Sequence, residues 1–269
     1  MNITFIGGGN MATALIGGML SEGFTSQQIN VVEINSENRT KLEKDFSVST
    51  FADISKGIEK SQIIVLAVKP QQFREISKEL APLIRDQLLV SIAAGIRATD
   101  LARWSETDAI VRVMPNTPSL IRSGMSGLFA LSAVSEEQRD QAQKIMAAVG
   151  ETIWLQDEEM LDAVTAISGS GPAYVFYMIE ALQRAALDMG FNAEESRRLA
   201  QSTFLGASKL AVASDDDVSV LRSRVTSKNG TTERALLSLD ANRVAANIAE
   251  AAQAAQARSR EMGEELGKG

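Results

Sequence analysis

The chain has 269 residues, which at about 150 residues per domain suggests two domains, and 45% of them are apolar, enough to give each a buried core. It contains neither cysteine nor histidine, which excludes disulfide frameworks, thiolate nucleophiles, Ser-His-Asp triads and any zinc or iron site built on sulfur or imidazole. Its 27 Lys+Arg against 34 Asp+Glu give a net charge of −7 without a basic block, and aromatics make up 5%, so no nucleic-acid partner is expected.

From the start of the chain to Leu155, short apolar, β-branched runs alternate with stretches of helical period. The runs at Ile3–Ile6, 29–34, 62–68, 88–92 and Ile110–Met114 predict strands, with later ones at 125–130 and 152–155. Runs that are apolar throughout fit a sheet covered on both faces. Residues 11–20, 36–45 and 71–84 carry helical spacing, and Ser135 with Gln138 makes a capping box for a helix reaching Val149. This pattern predicts an α/β fold whose residues 1–156 form an N-terminal Rossmann-like, doubly wound parallel sheet.

After Leu155 the strand signals stop. Asp157, Glu158 and Glu159 stand where a helix N-terminus welcomes negative charge. Val175, Met178, Ile179, Leu182 and Ala186 then keep one helical face apolar, with Pro172 in the first turn. Residues 193–213 and 243–262 are also helical in period, and alanine crowds the chain from Ala241 through Ala257. Small side chains let helix axes approach, so an all-α C-terminal domain, residues 157–269, is expected to pack against a second copy. No stretch nears the roughly 18 apolar residues of a membrane helix. Met1 and Asn2 lead straight into the first apolar run without a charged leader, so a cytoplasmic protein is expected.

Gly7, Gly9 and Ala12 form G-x-G-x-x-A between the first strand and the first helix, in the segment Ile6-Gly7-Gly8-Gly9-Asn10-Met11-Ala12. The first glycine permits a tight turn, the second lets a pyrophosphate approach the backbone, and Ala12 keeps helix and strand close. Glu33 ends the second strand at the spacing where an acidic group bonds an adenosine ribose, and Asn35, Ser36 and Arg39 follow it. Three further loops leave the carboxyl ends of strands: Ala67-Val68-Lys69-Pro70, Ala93-Ala94-Gly95 and Met114-Pro115-Asn116-Thr117-Pro118. Each alone reads equally as an ordinary turn; together they form a floor for a nicotinamide, since ligands collect at that edge of such a sheet. In the helical half, Thr226-Ser227-Lys228-Asn229-Gly230-Thr231-Thr232 reads either as a helix cap or as a cradle for a small carboxylate. Ser168-Gly169-Ser170-Gly171-Pro172 offers either close approach to a ligand or a sharp start to a helix. Tyr174 and Tyr177 lack the lysine four residues on of a Tyr-x-x-x-Lys pair and read as packing residues. Lys209 is the acid available to an alcohol dehydrogenase.

These segments, in this order, together with Arg112-Val113 before Met114 and Ala173-Tyr174 after Pro172, resemble pyrroline-5-carboxylate reductase. The resemblance implies reduction of 1-pyrroline-5-carboxylate to L-proline with NADH or NADPH, and an intertwined homodimer, often assembled further, made by the helical domains. It implies that Gly230 and Thr231 hold the substrate carboxylate and that the Thr232 hydroxyl, the catalytic candidate, bonds the ring nitrogen. Ser170 and Glu158 are further substrate-side candidates, and the glycine segment, Glu33, Asn35, Ser36, Ala67 to Pro70, Ala93 to Gly95 and Asn116 are the cofactor-side ones. The sequence departs from the family at Lys228-Asn229, commonly Pro-Gly, and at Glu33, often a small polar residue. The absence of histidine agrees with this chemistry, because a protonated cyclic imine accepts hydride directly and leaves no alkoxide to quench. Two other readings share the glycine loop: a reductase of a small keto or hydroxy acid, which needs an acid such as Lys209, and a dinucleotide sensor without catalysis.

Overall fold

The computed structural model describes residues 1–268 and divides into two compact units, Met1–Ser170 together with the chain from Ala254 onward, and Gly171–Gln253. The first unit is built on strands β1 (Ile3–Ile6), β2 (Ile29–Val32), β3 (Ser49–Phe51), β4 (Ile63–Leu66), β5 (Leu88–Ser91), β6 (Ile110–Met114), β7 (Gly124–Ala130) and β8 (Gly150–Trp154). They form one 8-stranded sheet in the order β3-β2-β1-β4-β5-β6-β7-β8. The order reverses between β1 and β4, where Ile3 pairs with Ile29 on one side and Ile63 on the other. A doubly wound sheet opens a crevice for a ligand at that switch point.

Every residue of β1, β4 and β5 is buried, because alternate side chains feed two separate layers. Ile63 and Val65 enter one layer with Phe5 and Leu15, while Ile64 and Leu66 enter the other with Phe73 and Leu101. The covering helices are α1 (Asn10–Ser21), α2 (Ser36–Phe46), α3 (Ile54–Ile58), α4 (Phe73–Leu80), α5 (Ala98–Ser105) and α6 (Glu136–Ala147). Ser135 and Gln138 make the expected capping box at α6.

The wholly parallel sheet expected from the sequence is corrected at one pair: β7 runs antiparallel to β6, with Val111 opposite Ala130. The connecting residues 115–123 contain a single 3-10 turn, Thr117–Ile121, and are too few for the crossover of a dozen or so residues that a parallel neighbour requires. The edge strand β3 and the short helices α3 and α5 carry too few residues for a periodic signal and are additions to the sequence reading.

Helix α7 (Met160–Val164) continues through a π-helical turn, Thr165–Gly169, into α8 (Gly171–Asp188). Then come α9 (Ala193–Val212), α10 (Val218–Arg224), α11 (Thr231–Ala241) and α12 (Val244–Gly267). The helix expected over residues 243–262 is α12, which carries the alanine-rich run from Ala245 on; Ala241 ends α11, and Arg243 takes a φ of 54° between the two. Among the described residues of the second unit only Ser196 and Ala200 are buried, while Phe176 is 66% and Val212 89% exposed. Helices with such faces bare do not make a core of their own.

An ionic cluster ties the first unit together. Arg112 of β6 is 3% exposed, and its guanidinium donates to Glu158 Oε1 at 2.7 Å. Burial pulls Arg112 below the usual arginine value, and the charge and hydrogen bond of Glu158 pull it back up. The same Glu158 oxygen accepts the N–H of Ala98, the first residue of α5, at 2.7 Å. Beside it, Asp162 of α7 is fully buried, accepting from Arg97 at 2.9 Å and from the Ser259 hydroxyl of α12 at 2.6 Å. Removing one partner of a buried pair strands the other charge at a cost of about 3–5 kcal/mol. Glu158→Gln should therefore lower the urea midpoint of unfolding at fixed protein concentration by a corresponding amount; an unchanged midpoint would show that Arg112 finds water instead.

Candidate functional site

β1 ends at Ile6, and Gly7 turns the chain with a φ of 99°, its N–H bonded to Val32 O at 2.8 Å. A Cβ on Gly7 would stand 2.7 Å from Ala67 O and 2.9 Å from Val68 Cγ1, so the glycine turn and the loop after β4 meet only because this residue has no side chain. At Gly8 a Cβ would meet Leu42 Cδ1 at 2.6 Å; at Gly9 it would meet nothing within 4 Å. Gly9 is the N-cap of α1, makes no side-chain cap bond, and is followed by a first turn without an acidic residue. Ala12 is fully buried against the sheet. Open space over Gly9 at an uncapped helix N-terminus fits a pyrophosphate.

Glu33 lies just beyond β2 and is committed to the glycine turn itself. Its carboxylate accepts from Gly8 N–H at 3.1 Å, Asn35 N–H at 2.9 Å and Asn38 Nδ2 at 3.0 Å, and Asn38 Nδ2 also donates to Gly8 O at 3.0 Å. Burial alone would raise the carboxyl's pKa, but bonds from Asn35, Asn38, Gly8 and Ile34 outweigh it and hold it below the ordinary carboxylate value. Asn35 Oδ1 caps α2 through Asn38 N–H at 2.9 Å, and Ser36 is exposed at the first helical position. Arg39 donates to the carbonyls of Glu33 and Ile34 at 2.8 and 3.0 Å. Asn38 is a site-forming residue that the sequence reading missed; its position one turn into α2 is the only signal it offered.

Lys69 is exposed and Pro70 opens a short 3-10 turn after β4. In the loop after β5, Ala93 is buried, Ala94 half-buried, and Gly95 has a φ of 75°. Asn116 is buried with both ends of its amide engaged, Oδ1 accepting from Met125 N–H at 2.9 Å and Nδ2 donating to Ser168 O at 3.1 Å. Its side chain thus fastens the loop after β6 to the π-helical turn. Gly169 there packs on Met114, whose Cε lies 2.7 Å from where a Cβ would be, and Ser170 N–H bonds Thr165 O at 2.7 Å. The substrate-side candidate Glu158 has its Oε1 taken by Arg112 and by the first N–H of α5.

The loop 226–232 belongs to the second unit. Thr226 Oγ1 bonds Arg222 O at 2.7 Å, and Gly230 N–H bonds Ser227 O at 3.0 Å. Gly230 is the N-cap of α11, and a Cβ on it would run into the Ser227 hydroxyl. Asn229, at the departure from the family pattern, adopts a φ of 58°, the left-handed region that glycine and asparagine tolerate best. The loop thus bends through Asn229, whose N–H is held by Glu233 Oε2 at 2.7 Å. Thr231 and Thr232 occupy the first turn of α11, and among the described residues neither hydroxyl is engaged. Lys209 is exposed on α9 and Tyr177 is 70% exposed on α8. Among the described residues no cluster of metal-ligating side chains exists, and no helix is long and apolar enough to cross a membrane.

Residues 158–262 match the family described as pyrroline-5-carboxylate reductase dimerisation, and residues 2–95 one described as NADP oxidoreductase, coenzyme F420-dependent. The chain is 43% identical over 268 residues to a pyrroline-5-carboxylate reductase of Pseudomonas aeruginosa, covering 99% of this chain and 98% of that protein. It is 44% identical over 263 residues to one of Haemophilus influenzae, covering 97% of each. Among solved structures, a pyrroline-5-carboxylate reductase from Coxiella burnetii superposes with a TM-score of 0.94 at 38% identity, over 97% of this chain and 98% of that one. A Plasmodium falciparum pyrroline carboxylate reductase with NADP bound gives 0.86 at 28% identity, over 98% of each.

A β-branched residue in the left-handed region is strained by roughly 1–2 kcal/mol or more. Asn229→Val should lower stability by about that much, whereas Asn229→Gly should leave it near wild type. Thermal unfolding at fixed concentration measures both, and a Val variant as stable as wild type would mean that the turn relaxes freely.

Proposed function

The chain belongs to the pyrroline-5-carboxylate reductase family, and from that premise we propose that Gly230, Thr231 and Thr232 serve the substrate side of its reaction, the NAD(P)H-dependent reduction of 1-pyrroline-5-carboxylate to L-proline. This is the last step of proline biosynthesis. The observation that carries the reading is that the full-length similarity takes in both the open glycine turn of the first unit and the bent loop 226–232 of the second.

The cofactor fits the first unit. The segment from Ile6 through Gly7, Gly8, Gly9, Asn10 and Met11 to Ala12 would hold the pyrophosphate, with Glu33, Asn35 and Ser36 on the ribose side. The loops Ala67 to Pro70 and Ala93 to Gly95, with the backbone fixed by Asn116, would form the nicotinamide side. Bound there, the cofactor supplies a hydride.

On the substrate side, the N–H of Thr231 in the first turn of α11 suits a carboxylate by charge and direction, and Gly230, whose own N–H is bonded to Ser227 O, shapes the turn that presents it. The Thr232 hydroxyl oxygen accepts the N–H of the protonated imine, and Ser170, in the first unit, is kept as a further substrate-side candidate. Hydride adds to the imine carbon while the C=N π pair moves to nitrogen, leaving the secondary amine of proline. No general acid is required at the reacting carbon, so a chain without histidine is chemically sufficient. A keto-acid reductase would have to protonate an alkoxide, and its lysine candidate, Lys209, is an exposed helix residue.

The protein is a homo-oligomer acting on a small molecule. Intertwining of two helical units, with further assembly of dimers, is the form we favour, because the bare apolar faces of the second unit call for a matching copy. We keep the functional division expected from the sequence, with cofactor binding in residues 1–156 and substrate and dimer contacts in 157–269, while the compact units themselves part at Ser170 and the chain from Ala254 onward belongs to the first. A cytoplasmic location suits a biosynthetic enzyme of this kind.

NADPH or NADH should be oxidised only when 1-pyrroline-5-carboxylate is added; oxidation with a keto acid alone would favour the other reading. Thr232→Ala should lower turnover about tenfold or more with cofactor affinity unchanged, since a hydrogen bond to a charged group is worth roughly 1.5–3 kcal/mol. An unchanged rate would leave Thr232 an ordinary first-turn residue of α11. At Glu33, a 2′-phosphate some 4 Å away would feel about 1 kcal/mol of repulsion per charge pair even in water. Glu33→Ser should accordingly raise the NADPH-to-NADH ratio of kcat/KM about fivefold or more, and an unaltered ratio would mean that its carboxylate serves the glycine turn alone.

A further inference from the structure

The loop after β5 is held from outside by the C-terminal end of the chain. A Cβ placed on Gly95 would lie 2.9 Å from Leu266 Cδ1 and 3.4 Å from Met262 Cβ, so the last turns of α12 rest directly on this left-handed residue. Ser259, Gly263 and Gly267 recur every four residues and form the face that makes the approach possible. Ser259 reaches the buried Asp162; a Cβ on Gly263 would stand 2.9 Å from Arg97 Nε; and one on Gly267 would run into the Asp100 carboxylate. Arg103 adds a bond to Gly267 O at 3.0 Å.

The loop is therefore fixed at consecutive points: Leu266 covers Gly95, Asp162 holds the Arg97 guanidinium at 2.9 Å, and Glu158 holds the Ala98 N–H at 2.7 Å. Ala93 and Ala94 lie immediately before these points and have no side-chain polar group with which to fix themselves.

We infer that the segment 259–267 of α12 is a strap that positions the loop 93–97, with Leu266 and Met262 as positioning residues for the nicotinamide side of the cofactor site. The inference rests on the reductase reading proposed above. The strap touches neither hydride donor nor imine; it sets where the backbone of Ala93 to Gly95 lies. A binding group displaced by a fraction of an ångström loses affinity and rate without any loss of chemistry.

The test compares Leu266→Ala with Leu266→Met in the full-length protein, measuring NADPH affinity by calorimetric titration, steady-state kinetics, and oligomeric state by sedimentation. The alanine variant should keep the wild-type oligomer and the wild-type KM for 1-pyrroline-5-carboxylate while binding NADPH about tenfold more weakly, and methionine should restore most of the affinity. Leu266→Ala with only a lowered melting temperature and unchanged NADPH affinity would overturn the inference. Should the alanine variant fail to fold, Gly263→Ala, which pushes on Arg97 from the same face, reads the same quantity. Because binding is measured separately from turnover, a wild type that binds NADPH but does not oxidise it with the imine would overturn the reductase reading and leave the strap comparison valid.

Discussion

An ionised guanidinium with almost no water around it is costly to keep, and Arg112 sits on a central strand of the sheet in that condition. The surrounding chain is arranged to meet the requirement. Glu158 must come in from the start of the helical half, which fixes where α7 begins; its oxygen then also receives the first N–H of α5. One helix turn on, Asp162 answers Arg97 and draws Ser259 of the returning α12 against the sheet unit. An apolar replacement of such a cluster can be as stable or more so, and its distinct contribution is directional: each charge accepts few geometries, so the loops at the carboxyl edge are held in one arrangement.

Much of this was legible from residue order alone. Ile63 to Leu66 and Leu88 to Ser91 announce buried parallel strands because both of their faces must be apolar, and the glycine turn is recognisable because Gly7 and Gly9 follow a strand and precede a helix. Strand direction left no such trace: the residues of β7 would read identically in a parallel neighbour, and only the shortness of the connection decides. Pairings across long separations were equally hidden. Nothing local to Glu33 shows that its carboxylate folds back on Gly8, and nothing local to Glu158 shows that a strand forty-six residues earlier supplies its counter-charge.

The second unit shows the opposite limit. Its helical faces were plain from the spacing of Val175, Met178 and Leu182, but a periodicity says which side is apolar and not what covers it. With those faces bare in a single chain, folding and association of this unit are linked equilibria, and its stability is a function of protein concentration.

The bend at Asn229 also bears on how the protein ages. Asparagine followed by glycine is open to attack of the next backbone nitrogen on the side-chain amide, because glycine offers that nitrogen no steric shield, and the cyclisation ends in aspartate or isoaspartate. Here the attacking nitrogen, that of Gly230, donates its N–H to Ser227 O at 3.0 Å, so the folded loop holds it in a hydrogen bond of its own. The residue that lets the loop turn is thus chemically protected by the turn it makes, and deamidation becomes a record of how often residues 226–232 open.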